Sequence, residues 1–140
     1  MLFQMIYTST SAVGVSLNDK VNVAAYSVSN CYQLGLTGRV LVVPDMAINV
    51  LEGDESILTA YVDAIKNDAM IELLIVHHKE PIEARKFQDY SVWMTYAAGE
   101  TVKGVHRLTP ENFETALPDD LPRKTRLFID ANFVIPMADA

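Results

Sequence analysis

Five groups of side chains in this sequence are of types that can do chemistry. His77 and His78 have the look of a metal pair. Neighbours on a strand point to opposite faces, so they cannot share one ion, and a solvated strand end accounts for them better. Gly35-Leu36-Thr37-Gly38 has two glycines but neither the spacing nor the lysine of a phosphate loop. It reads as a helix C-cap feeding a strand. Asp54 and Glu55 are paired acids, and a helix N-terminus explains them through its macrodipole. Cys31 could be a nucleophile, yet no histidine lies near it, and a cysteine on the inward stripe of a helix is usually a small buried hydrophobe. These groups form no catalytic constellation, so no enzyme activity is expected. Asn49 is different: it stands between Ile48 and Val50 in a run otherwise built to be dry. A buried amide without partners costs a few kcal/mol, so it must bond to something or stand in for something.

The elements that would position these residues are legible in order. "LFQMIYTS" (2–9) is a β-type run. Ser16 with Asp19 three residues on forms a capping box, with Asp in place of Glu. Behind it Leu17, Val21, Ala24, Val28 and Cys31 recur at helical spacing, and Gly35 is placed as the C′ residue. "RVLVVP" (39–44) and "AINVLEG" (47–53) read as strands joined by a hairpin-short link of Asp45 and Met46. Asp54 caps a second helix with Ile57, Leu58, Tyr61, Ala64 and Ile65 inward. "MIELLIVHH" (70–78) is nearly continuous in apolar residues, which predicts a central strand covered on both faces. "FQDYSVWMTY" (87–96) alternates as a fifth strand.

The order β-α-β-β-α-β-β begins as the ferredoxin-like split βαβ pattern. The expected fold is α+β: a mixed five-stranded sheet with helices at about 17–34 and 54–67 on one face. Residues 1–96 form that domain, and 97–140 an extension packing on it. The extension holds four of the six prolines, a short helix at "TPENFETAL" with Thr109 as N-cap and Pro110 at N1, and "RLFIDANFVI", which is apolar enough to dock on the open sheet face.

Composition bounds the partners. The 140 residues are half hydrophobic and 21% charged, the balance of one globular domain. A net charge of −7 argues against nucleic acid and anionic membranes, because phosphate neutralisation needs an excess of Lys and Arg. With one cysteine there is no intrachain disulfide, and no stretch reaches the roughly 18 apolar residues of a membrane span. The N-terminus lacks a basic region of the signal-peptide type. A cytoplasmic location is expected.

Four pieces in register carry a family likeness: "IYTS", "LGLTG", "VLEG" and "PIEARKFQDYS". Over residues 1 to about 95 the chain resembles BLUF domains, the blue-light sensors that use FAD. The resemblance implies a flavin, FAD or FMN, between the two helices and against the sheet. Light would then rearrange hydrogen bonds among a tyrosine, a glutamine and the flavin. Carried over by position, the tyrosine is Tyr7, the serine two places on is Ser9, and a helix serine is Ser27. The helix amide that holds the ring falls on Cys31, with Asn30 one step earlier and about 100° away around the helix. The photoactive glutamine falls on Asn49, which is one methylene shorter. Its amide is expected to bond to Tyr7, to backbone or to water.

Further departures accumulate. The family's Asp-x-Arg-His after the second helix matches Asp68, Ala69, Met70 and Ile71, without either basic group. Its Trp-Ser-Met matches Tyr90, Ser91 and Val92. These losses imply a diverged member with weakened or lost flavin binding, acting through protein–protein contacts as a homo-oligomer or with a downstream partner. The alternative is a working FAD or FMN photoreceptor.

Overall fold

In a computed structural model of the chain, residues 1–43, 46–95, 105–117 and 123–132 are described. The elements are β1 (Leu2–Ser11), α1 (Leu17–Leu34), β2 (Thr37–Val42), β3 (Ala47–Asp54), α2 (Glu55–Lys66), β4 (Ile71–Pro81), β5 (Tyr90–Met94), β6 (His106–Arg107), α3 (Phe113–Ala116) and α4 (Arg123–Asn132). The sheet runs in the order β4-β1-β3-β2-β5-β6. Each adjacent pair among β4, β1, β3 and β2 is antiparallel, whereas β5 lies parallel to β2 and β6 parallel to β5. The ferredoxin-like α+β pattern and the mixed sheet therefore hold, with six strands where five were expected. Two-residue β6 is too short to leave a periodic signal in a sequence.

Local chemistry explains the boundaries. Ser16 accepts from the Asp19 amide and Asp19 returns a bond to the Ser16 amide, closing the capping box of α1. Gly35 ends the helix with φ of 71°, a left-handed C-cap whose amide reaches back to Tyr32. Three residues on, a Cβ on Gly38 would lie 1.9 Å from the Val50 carbonyl oxygen, so no side chain fits there. The β2–β3 link is closed by Val43 N–H donating to the Met46 carbonyl at 2.9 Å. Asp54 caps α2 through the Ser56 amide. Its carboxyl lies below the ordinary range, chiefly through the Ser56 hydroxyl and then the N-terminal ammonium.

Alternation in the strands sorts side chains to two cores. Met5, Tyr7, Val40, Leu51, Tyr90, Val92 and Met94 face α1 and α2, meeting Ala24, Cys31, Leu58, Tyr61 and Val62. Ile6, Leu41, Ile48, Val50 and Phe87 face the other way, against Leu108, Ala116, Leu117 and Ile129 from the C-terminal third. Arg39 ties α3 down by donating to the Thr115 and Ala116 carbonyls, with its guanidinium over the Phe87 and Trp93 rings.

Three expectations are corrected. β4 is an edge strand paired only with β1 among the described residues, not a central one, and Leu73, Ile75 and Val76 remain 53%, 45% and 40% exposed. An apolar run fits a doubly covered strand, but it does not say which strands flank it. Ala64 faces solvent, and Val62 takes the inward place. The helix in "TPENFETAL" begins at Phe113, because Thr109 to Asn112 close a turn first: the Asn112 side chain accepts from the Thr109 amide and donates to the Arg107 carbonyl. Pro44, Tyr96 and the last residues of "RLFIDANFVI" lie outside the described residues.

Candidate functional site

A cleft of about 880 Å³, open mouth included, runs between α1 and α2 with the sheet as its floor. Without the open mouth the cavity is about 140 Å³, smaller than most small-molecule sites. Its walls are mostly aliphatic, from Val15, Val23, Val40, Val42, Met46, Ile65, Val92 and Met94. Polar groups enter at few points, and two of them are direct cross-strand partners: Tyr7 on β1 stands opposite Asn49 on β3. Both side chains therefore lie on the helix-facing side. Asn49 is 6% exposed, and among the described residues its amide has no side-chain hydrogen bond, so it opens onto the cleft. Ser27 and Ser9 line the same space.

Cys31 and Asn30 are placed differently. Cys31 is fully buried and is not on the cleft wall, and half-buried Asn30 is also off it. The thiol instead meets the Tyr61 hydroxyl, which reaches across from α2. Tyr61 also has polar contacts with Ser27 on α1 and Tyr90 on β5, so one hydroxyl bridges both helices and the sheet. Burial raises the Tyr61 hydroxyl above its ordinary range, and Cys31 adds to the effect. Tyr7 and Tyr90 are raised well above theirs by burial first and by neighbouring hydroxyls and the Cys31 thiol second. The Cys31 thiol is itself pushed up by burial, against the opposing effect of its Tyr61 bond. All four groups are thus neutral donors at neutral pH. In the sequence Tyr61 carried only the signal of an inward helical position; its bridging role comes from the spacing of the helices.

At the mouth the cleft is lined by Lys20, Asp68, Met70 and Ile71. Lys20 is the one cation among the described lining residues, and Asp68, whose carboxylate accepts from the Met70 amide, is the one anion. A phosphate arriving there meets both signs. Lys20 gave no signal in the sequence, since it is an ordinary exposed-looking position in the first turns of a helix.

The motif residues converge on a second place, away from the cleft. Glu52 is fully buried, and its carboxylate accepts from the Lys86 and Phe87 amides at 2.8 and 3.0 Å, from Thr37 at 3.2 Å and from Gln4 at 3.5 Å. Arg85 donates to Thr37, to the Glu52 carbonyl and to the Gly35 carbonyl. "LGLTG", "VLEG" and "PIEARKF" are therefore one lock, joining the end of α1, β3 and the segment before β5. Their spacing serves folding, and none of them touches a ligand site. Of the residues weighed for metal, His77 bonds to Thr8 at 2.7 Å, and no metal-ligating cluster exists among the described residues.

For a flavin, the cleft offers Tyr7 and an amide at Asn49. The donor set is incomplete: where the resemblance places a ring-holding amide there is a thiol turned toward α2, and the described residues lining the cleft include no Arg or His. The residues present fit the group only in part.

Comparisons agree with this geometry. The family model for BLUF, sensors of blue light using FAD, matches residues 2–93. No curated protein matches significantly. Among solved structures, BlrB, a BLUF protein in its dark state, is 26% identical with a TM-score of 0.61, over 66% of this chain and 70% of BlrB. BlsA in its photo-activated state shares the fold at a TM-score of 0.67 and 14% identity over the whole of both chains. A bacterial light-regulated adenylyl cyclase aligns at a TM-score of 0.63 and 20% identity over 67% of this chain, which spans only 28% of the cyclase. With a sheet, two helices and a cleft of the expected kind, and a family match covering most of its length, the chain belongs to the BLUF family.

Proposed function

We propose that this chain is a diverged BLUF signalling protein whose flavin contacts are weakened and which acts through protein–protein contacts. One observation carries the reading. The α1 position that should offer an amide to the ring is Cys31, buried against Tyr61 and absent from the cleft wall. A missing amide bond and a missing basic pair each cost on the order of 1–3 kcal/mol. Together they correspond to a loss of several orders of magnitude in affinity. Asn49 supports the same reading. It is about 1.5 Å shorter than a glutamine, enough to break a hydrogen bond to a ring.

A second reading, a working FAD or FMN photoreceptor, is favoured by the preserved cleft and by the Tyr7–Asn49 pairing. Flavin titration separates the two. Purified protein with excess FAD or FMN should come off a desalting column nearly colourless, and Asn49→Gln with Cys31→Asn should retain more flavin. A native chain that retains stoichiometric yellow flavin overturns the proposal.

A further inference from the structure

Tyr7 on β1, Asn49 on β3, Val40 on β2 and Val92 on β5 are successive cross-strand partners, and all four line the cleft. The cleft floor therefore has a polar end, an amide beside a hydroxyl, and an apolar end of two valines. Cross-strand partners stand with their Cβ atoms about 5 Å apart, close enough for one small molecule to reach both. The two polar groups are unspent. Tyr7 is 2% exposed and Asn49 6%, and neither side chain has a hydrogen-bond partner among the described residues. Buried amides and hydroxyls are bonded as a rule, so this pair is set to meet an occupant of the cleft.

We infer that the cleft takes a neutral single-ring heterocycle with a lactam edge, an N–H next to a C=O, held by Asn49 and Tyr7. The Asn49 oxygen accepts from the ring N–H while its NH2 donates to the ring carbonyl. The Tyr7 hydroxyl donates to the second lone pair of that carbonyl. Size sets one ring: the cavity inside the mouth is about 140 Å³, and an apolar cavity of about 150 Å³ takes benzene. The walls set neutrality, because Val40, Val92 and Met94 offer a charged ring no partner and an unpaired buried ion is costly. An anionic tail gains little at a mouth where Asp68 offsets Lys20. The inference rests on the weakened flavin contacts, since a retained flavin would occupy the same amide.

Titration of the full chain with 2-pyridone, followed by amide NMR, tests the inference. The Asn49 side-chain amide, identified by its absence from the Asn49→Leu spectrum, should move downfield and give a dissociation constant at or below about 1 mM. N-Methyl-2-pyridone keeps the ring and the carbonyl but not the N–H, and should bind about tenfold more weakly. Asn49→Leu puts an apolar group of similar volume in the amide's place. It should lose about tenfold toward 2-pyridone and bind benzene at least as well as the native chain, as an intact cleft requires. A chain that leaves purification with stoichiometric flavin overturns the weakened-flavin reading and this inference with it. A colourless chain whose Asn49 amide does not respond to 2-pyridone, or that binds the N-methyl compound equally well, overturns this inference alone. An Asn49→Leu chain that binds 2-pyridone as tightly as the native chain does the same.

Discussion

At Asn49 the proposed loss of the switch rests on a single methylene. In the register Asn49 stands opposite Tyr7, and its side chain lines the cleft. Its neighbours Tyr7, Tyr61, Tyr90 and Cys31 are all held neutral by burial. In the unfolded chain these tyrosines ionise near 10.0 and the thiol near 9.0. The folded state therefore binds more protons than the unfolded state above those values. Stability should be level below pH 9 and fall as pH rises beyond it, with tyrosinate absorbance from the buried rings appearing only as the chain unfolds. Melting temperature and near-ultraviolet absorbance followed from pH 7 to 11 check this; buried tyrosinate in a folded chain would contradict it. Glu52 makes a second residue-scale test. Glu52→Ala strands four donors around a buried site and should cost about 2–4 kcal/mol in urea unfolding, with Glu52→Gln losing less.

At the level of elements, the hairpin and the C-terminal clasp make specific demands. Gly38→Ala places a methyl group 1.9 Å from the Val50 carbonyl oxygen, so the β2–β3 pairing must shift, and a loss above about 2 kcal/mol is expected in the same unfolding assay. Arg39→Ala removes two bonds to the α3 carbonyls and the stack on Phe87 and Trp93. Limited proteolysis should then cut the C-terminal third several-fold faster while residues 1–95 persist. Helix starts and stops were readable because Ser16, Asp19, Gly35 and Asp54 act on bonds within a few residues of themselves. The split βαβ arrangement, with two helices on one face of a mixed sheet, followed from element order alone. The position of β4 was not readable, because Leu73 to Val76 have the same composition whether a neighbouring strand or a second molecule covers them. Asn112 likewise displaced Thr109 as the cap through bonds to Thr109 and Arg107, which only the folded turn brings together.

For the whole molecule, the family's scaffold and its chemistry have separate supports. The lock of Glu52, Arg85 and Thr37 holds the fold together without lining the cleft, so three of the four identifying motifs report on the scaffold and not on the site. The cleft residues were only partly legible for the same reason. Tyr7 and Asn49 were named from the resemblance and share one face of the sheet, but the turning of Cys31 toward Tyr61 depends on the distance between two helices. A mouth where Asp68 offsets Lys20, with no Arg or His among its described residues, gives a phosphate little advantage, so FAD and riboflavin should bind within roughly threefold of each other by fluorescence titration. The central claim is that the hydrogen-bond switch has been lost. It is tested most directly by absorption spectra of the flavin-saturated chain in the dark and under blue light, beside the Asn49→Gln, Cys31→Asn double variant. The account predicts no shift in the native chain and a reversible red shift in the variant; a reversible red shift in the native chain would contradict it.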